Sequence, residues 1–239
     1  MNDIAVELGG VRKRFGHQTV LDGVDAALAA GRVTAIVGPN ASGKSTLIKC
    51  ILGLVHPDAG TITVLGAVAG ADPAYRRRIG YMPQGAPFPE NLTSREVLAL
   101  IQSLRPGDAT DDDLVHRFQL GAALDQPVRF LSGGTRQKLN AAVAFWFRPA
   151  LLILDEPTAG LDPLSNGVFK EKVQEAADAG ATVLLTSHLM GEVEELADDI
   201  LFLLDGIVRF QGTMEDLHRL TGEQRLERAV SRLMRMRAA

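Results

Sequence analysis

Apolar positions fall into two kinds of run along this chain. Val33-Thr34-Ala35-Ile36-Val37, Leu151-Leu152-Ile153-Leu154, Val183-Leu184-Leu185-Thr186 and residues 201–204 are short and almost uninterrupted. Runs of this kind read as strands covered on both faces, as in a parallel sheet. Between them the spacing changes. Residues 45–54 set Leu47, Ile48, Ile51, Leu52 and Leu54 toward a core at helical intervals, and residues 135–147 do the same with Leu139, Ala142, Val143 and Phe147. Strand–helix alternation predicts an α/β architecture built on a mixed, mostly parallel sheet. Ahead of it, residues 4–8, 12–15 and 24–28 read as short strands separated by glycines, an antiparallel β layer beside the main sheet. Residues 61–65 and 79–82 read as two further strands.

Residues 85–89, with two prolines and a glycine, interrupt regular structure. The pattern is helical over 93–104, turns at Arg105-Pro106-Gly107-Asp108, and resumes with Thr110 as the expected cap of a helix. Asp111, Asp112 and Asp113 then fall in its first turn, where acids suit the helix dipole, and this is favoured over a metal site. Residues 86–148 thus form an inserted helical subdomain. Residues 1–85 and 149–212 are the core with its β layer, and 213–239 are a helical tail. The tail carries Arg225, Arg228, Arg232, Arg235 and Arg237 beside a stripe of Leu226, Val230 and Leu233. It reads as a helix packed on its own domain or as a basic face for a membrane surface or a partner. Met234 and Met236 point to different sides of such a helix and make no metal pair.

Candidate chemistry begins at Gly38-Pro39-Asn40-Ala41-Ser42-Gly43-Lys44-Ser45-Thr46, which fits the phosphate-binding pattern G-x-x-x-x-G-K-[ST] between a strand and a helix. The glycines let the backbone curl round phosphate oxygens, and the first helical N–H groups face them. Lys44 brings positive charge to the β- and γ-phosphates, and Ser45 a hydroxyl to Mg²⁺. Downstream, the apolar run ending at Leu154 leads into Asp155-Glu156-Pro157-Thr158. Asp155 suits the Mg²⁺ shell and Glu156 a general base or water-positioning role. Between these lies Leu131-Ser132-Gly133-Gly134-Thr135-Arg136-Gln137-Lys138, a second glycine-flanked helix start and so a second candidate anion site.

With these three segments in order, the chain resembles the nucleotide-binding subunits of ABC transporters over about residues 4–212. The resemblance implies the ABC ATPase fold, a P-loop NTPase core. It makes residues 131–138 the signature, with Ser132, Gly133 and Gly134 facing the nucleotide of a partner copy. Phe15 falls where an aromatic ring stacks on adenine, and Gln84 where an amide reaches Mg²⁺ and the attacking water. Asp162 falls in the D-loop, and His188 where a histidine touches the γ-phosphate. Two positions depart from the family pattern. Ala41 replaces a glycine, at a cost of about 1 kcal/mol if the position needs positive φ. Thr135 replaces a glutamine. Within the family, the signature with Ala141-Ala142 and Lys170-Glu171-Lys172 resembles the NosF-type ATPases of nitrous oxide reductase copper-site maturation.

The 239 residues are 46 % apolar and 23 % charged, which suits one α/β domain with an inserted lobe. A net charge of −4 gives no field for nucleic acid. The lone Cys50 reads as a packed thiol, and no run of about 18 apolar residues is present to span a bilayer. The resemblance therefore implies ATP with Mg²⁺, a homodimer of ATPase subunits, and a transmembrane permease on a separate chain. It places the ATPase in the cytoplasm, peripheral on the inner face of the cell membrane. A soluble ABC ATPase acting as an assembly scaffold, as in iron–sulfur cluster assembly, is the rival reading. Phe88, between Pro87 and Pro89, is expected to be exposed and to meet the permease.

Overall fold

The computed structural model describes residues 4–235. Its first two strands, β1 (Ile4–Phe15) and β2 (Gln18–Ala29), form a long antiparallel hairpin. The strands expected at 4–8 and 12–15 are one strand. Gly9 and Gly10 sit where the register shifts, Gly10 at φ 58° with its N–H on Asp25 Oδ1 at 2.7 Å. Glycine here makes a bulge rather than an end, because the ladder on either side still pairs. After β3 (Val33–Val37) comes helix α1 (Lys44–Ile51), then β4 (Ala59–Val64), β5 (Ala67–Val68) and β6 (Ile79–Met82). Leu54 lies beyond α1 and is exposed, since the helix stops three residues short of it.

The inserted segment holds α2 (Ser94–Ser103), α3 (Asp113–Arg117) and α4 (Gly133–Phe145). Thr93 and Glu96 close a capping box at the start of α2. Thr110 caps nothing: α3 begins at Asp113, and its N-cap Asp112 makes no side-chain cap bond. The acids do mark the helix start: Asp113 opens α3, Asp112 precedes it, and Asp111 Oδ1 accepts from Asp113 N–H at 3.0 Å, while long-range charge meets Asp111 and Asp113 as well. Lys172 Nζ lies 3.1 Å from Asp111 and 2.9 Å from Asp113, on the helix α5 (Pro163–Asp178). Arg117 adds bonds to Glu171 and Glu175 of the same helix. These pairs tie the segment 111–117 to α5.

The remaining elements are β7 (Leu151–Asp155), β8 (Thr182–Thr186), α6 (Met190–Leu196), β9 (Asp199–Leu204), β10 (Ile207–Thr213), α7 (Met214–Thr221) and α8 (Leu226–Arg235). One sheet is antiparallel, in the order β2-β1-β4-β5; the other runs β10-β9-β3-β8-β7-β6, parallel except for β10. Every residue of β3, β7 and β8 is buried, as two-sided cover requires. Alternate residues of β7 divide between two cores. Leu151 and Ile153 join α1 and the antiparallel sheet, while Leu152 and Leu154 join α4, α5, α7 and α8.

Helix α8 buries Leu226, Ala229, Val230 and Leu233, so its apolar stripe is used by its own domain and its arginines face outward. Met236 and Arg237 lie outside the described residues. Cys50 is 1 % exposed on α1, and burial pushes its thiol up to about 11. Since the thiolate is the reactive form, Cys50 is expected to resist a neutral-pH thiol reagent in the native protein. It should react stoichiometrically once denaturant is added, a difference read directly by absorbance of the released chromophore.

Candidate nucleotide site

Strand β3 ends against β9 so closely that a Cβ on Gly38 would sit 2.1 Å from Leu203 O. Only glycine fits there, and the chain turns at once into the 38–43 loop. Ala41 takes φ 63° within it, so the substituted position does need the left-handed region. Gly43 enters α1 at φ 107° and the helix has no side-chain cap. Its first backbone bond runs from Leu47 N–H to Gly43 O, which leaves the preceding N–H groups without intrahelical partners. Ser42 Oγ is buried and likewise unpartnered. Lys44 folds back on the loop, Nζ donating to Gly38 O at 2.7 Å and Pro39 O at 2.9 Å. Burial pulls its pKa below the usual lysine range, and the charges of Glu156 and Asp155 oppose that shift.

Strand β7 delivers the acids to the same place. Asp155, 8 % exposed, accepts from Thr186 Oγ1 at 2.6 Å. Glu156 leaves the strand at φ 51°, strained for a residue with a side chain. Its N–H bonds Thr186 O at 3.2 Å and Thr186 Oγ1 at 3.1 Å, which hold the turn. Its carboxylate meets His188, with Nδ1 2.6 Å from Oε2 and the backbone N–H at 3.3 Å. Lys44, Ser45, Gln84, Asp155 and Glu156 line one cleft of about 320 Å³. A hydroxyl, an amide and a carboxylate on one cleft form an oxygen donor set that suits a hard cation such as Mg²⁺. An uncapped helix start beside a lysine suits a polyphosphate.

Gln18 and Val20 complete the cleft wall. Sequence reasoning missed them, because they reach it only through the hairpin. Gln18 pairs with Phe15, which is half exposed under Lys13 Nζ at 5.4 Å from its ring centroid. Ser132 and Gly133 are exposed and stand apart from this cleft at the start of α4, where Ser132 Oγ accepts from Thr135 N–H at 3.1 Å. Asp162 caps α5 through Ser165 and pairs with Lys138 at 3.1 Å. These bonds hold its carboxyl well below the usual carboxylate range, those to Ser165 first. Phe88 is half-buried against the larger core rather than exposed, because the proline-flanked loop folds onto the lobe.

The family model described as ABC transporter matches residues 21–159. The chain belongs to the ABC transporter ATP-binding family. It is therefore an ATPase that binds ATP. Its sequence is 38 % identical to the daunorubicin resistance ATP-binding protein DrrA3 of Streptomyces coeruleorubidus, over 95 % of this chain and 74 % of that one. It is 37 % identical to the Nod factor export ATP-binding protein I of Rhizobium sp. (strain N33), over 86 % of this chain and 70 % of that one. A solved ATP-binding subunit of an ABC transporter superposes with a TM-score of 0.91 at 31 % identity, covering 96 % of this chain and 99 % of that one. These relatives are resistance and export ATPases, so they do not carry the resemblance to NosF-type proteins.

Strain at Ala41 gives a direct expectation for the cassette. Ala41→Gly should raise unfolding stability by about 0.5–1 kcal/mol, because relief of the left-handed penalty outweighs glycine's greater freedom in the unfolded chain. Urea denaturation of the two proteins checks this. An unchanged or lower midpoint at equal slope would show that the loop bears no such strain.

Proposed function

We propose that this cassette is the ATP-hydrolysing subunit of an exporter and works as a homodimer. In that dimer each 38–46 loop closes against the partner's Ser132, Gly133 and Gly134. One observation carries the reading: Lys44, Gln84, Asp155 and Glu156 share a cleft, with His188 bonded to Glu156, while the exposed start of α4 lies outside it. A site half-built in one chain is completed by a second copy. A dimeric cassette bound to ADP and Pi, 24 % identical to this chain, has a related fold.

In this reading Lys44 leaves the carbonyls of Gly38 and Pro39 for the β- and γ-phosphates, while Gly38, Pro39, Asn40, Ala41, Ser42, Gly43 and Thr46 shape the cradle. Phe15 offers a ring face to adenine. Mg²⁺, held by Ser45, Gln84 and Asp155, would neutralise charge on the phosphates. Glu156 orients the attacking water and takes its proton. His188 fixes the Glu156 carboxylate and is within reach of the γ-phosphate side. Asp162, at the start of α5, faces the second copy.

The names of the relatives, which speak of daunorubicin resistance and Nod factor export, favour export of a small-molecule cargo over copper-enzyme maturation or an assembly scaffold, neither of which they support. A transmembrane permease on a separate chain would seat the cassette on the inner face of the cell membrane. Exposed Leu100 and Leu104 on and just past α2 offer apolar surface for it, beside a groove that Leu104 shares with Tyr81 and Phe147.

Glu156→Gln should keep ATP binding and lower turnover by roughly 100- to 1,000-fold, because an amide cannot take the proton. Light scattering should then detect an ATP-dependent dimer, and Ser132→Arg in that background should abolish it. A dimer indifferent to both ATP and Ser132→Arg contradicts the reading. Leu104→Glu should lose co-purification with the permease while ATPase activity of the isolated cassette stays within about twofold of wild type, since no cleft contact is lost. Intact co-purification would move the permease contact elsewhere.

A further inference from the structure

Helix α4 carries a row of buried polar groups that the preceding reading leaves unused. Gln137 is 7 % exposed, and its Nε2 donates to Pro157 O at 2.8 Å and Glu156 O at 3.5 Å. One turn on, Asn140 is 2 % exposed and donates from Nδ2 to Pro83 O at 2.9 Å, the carbonyl just ahead of Gln84. Lys138 reaches Asp162. Gly134 lies so close to the same turn that a Cβ would meet Gly160 O at 3.1 Å. Positions 134, 137, 138 and 141 share one face of a helix, and 140 adjoins it.

We propose that Gln137, seconded by Asn140, is a positioning residue that ties the signature helix to the catalytic loops of its own subunit. This rests on the roles given above to Glu156, Gln84 and Ser132. A thirteen-residue helix moves as a rod, because its own backbone bonds resist bending. Any shift of its Ser132 end, where the partner's nucleotide would sit, is carried to Gln137 within two turns. There the amide bonds the Pro157 carbonyl and reaches that of Glu156, the two peptides that follow the strained φ of Glu156. Asn140 does the same for the peptide before Gln84. Nucleotide bound at one site thereby sets the catalytic carboxylate of the other. Packing alone would be served by an apolar side chain, whereas a buried amide is costly unless both hydrogens are placed.

The test compares the purified wild type with Gln137→Met, which keeps length and volume but has no donor, and with Asn140→Leu. Gln137→Met should lower kcat by roughly 10- to 100-fold, as a small misplacement of a catalytic group does. KM for ATP and equilibrium ATP binding should stay within about twofold of wild type. Asn140→Leu should shift kcat in the same direction. In the double variant Glu156→Gln/Gln137→Met, ATP should still drive dimerisation, since the signature end is untouched. Turnover of Gln137→Met within about twofold of wild type overturns the proposal, as does a loss lying wholly in ATP affinity or in dimerisation. If Gln137→Met melts well below wild type, Gln137→Asn, with the same amide on a shorter stem, is read by the same criteria. Glu156→Gln measured alongside separates the two readings. Full turnover in that variant sinks the site reading. An inactive Glu156→Gln with a normal Gln137→Met sinks the positioning role alone.

Discussion

Four parallel strands, β3, β8, β7 and β6, end level with one another, and the central groups of the nucleotide cleft hang from those ends. Asp155 lies opposite Thr186, Met82 opposite Leu154, and Ile36 opposite Thr186. Parallel pairing points every carboxyl end the same way, so the 38–43 loop, Gln84, Glu156 and His188 emerge at one edge of the sheet. A slip of one residue in any pairing would reverse the faces of that strand and withdraw its functional group. The two hydrophobic cores hold the register, since alternate residues of each strand belong to opposite sides.

That edge gathers charge. Asp155 is nearly buried and satisfied by Thr186, while Lys44 is held by carbonyls of its own loop. Each group is bonded well enough to persist, because a buried charge without partners would be expelled or neutralised. Lys44 bonds to neutral dipoles of its own loop, and an anionic phosphate can replace them. The strained φ of Ala41 and Glu156 marks the two places where backbone geometry yields to the shape of the cleft.

Helix α4 belongs to two surroundings at once. Its first turn is exposed and glycine-rich, while the following turns are bonded to the loops that carry Glu156, Gln84 and Asp162. The ion pairs of Lys172 and Arg117 fasten the neighbouring α3 to α5 by charge as well as by packing.

The amino-acid order by itself pointed to the strands β3, β6, β7 and β8, the helix after the phosphate loop, and Lys44, Ser45, Asp155 and Glu156 of the cleft. Each rests on short-range physics: apolar runs that need cover, a glycine loop that only one backbone path fits, and acids at a strand end. Gln84 and His188 rested on the family resemblance. Tertiary structure alone decided the rest. Gly9 and Gly10 could end a strand or bulge one, and pairing with β2 and β4 chose the bulge. Asp111 and Asp113 do sit at the start of α3, but only the fold shows that Lys172, some sixty positions away, pairs with both. The sequence left the conformation of Ala41 open, because alanine is silent about φ until the loop closes on its neighbours. Gln137 and Asn140 looked like ordinary polar positions on a helix. Their partners are backbone carbonyls of distant loops, which carry no side-chain signature, so only the folded chain places the bonds.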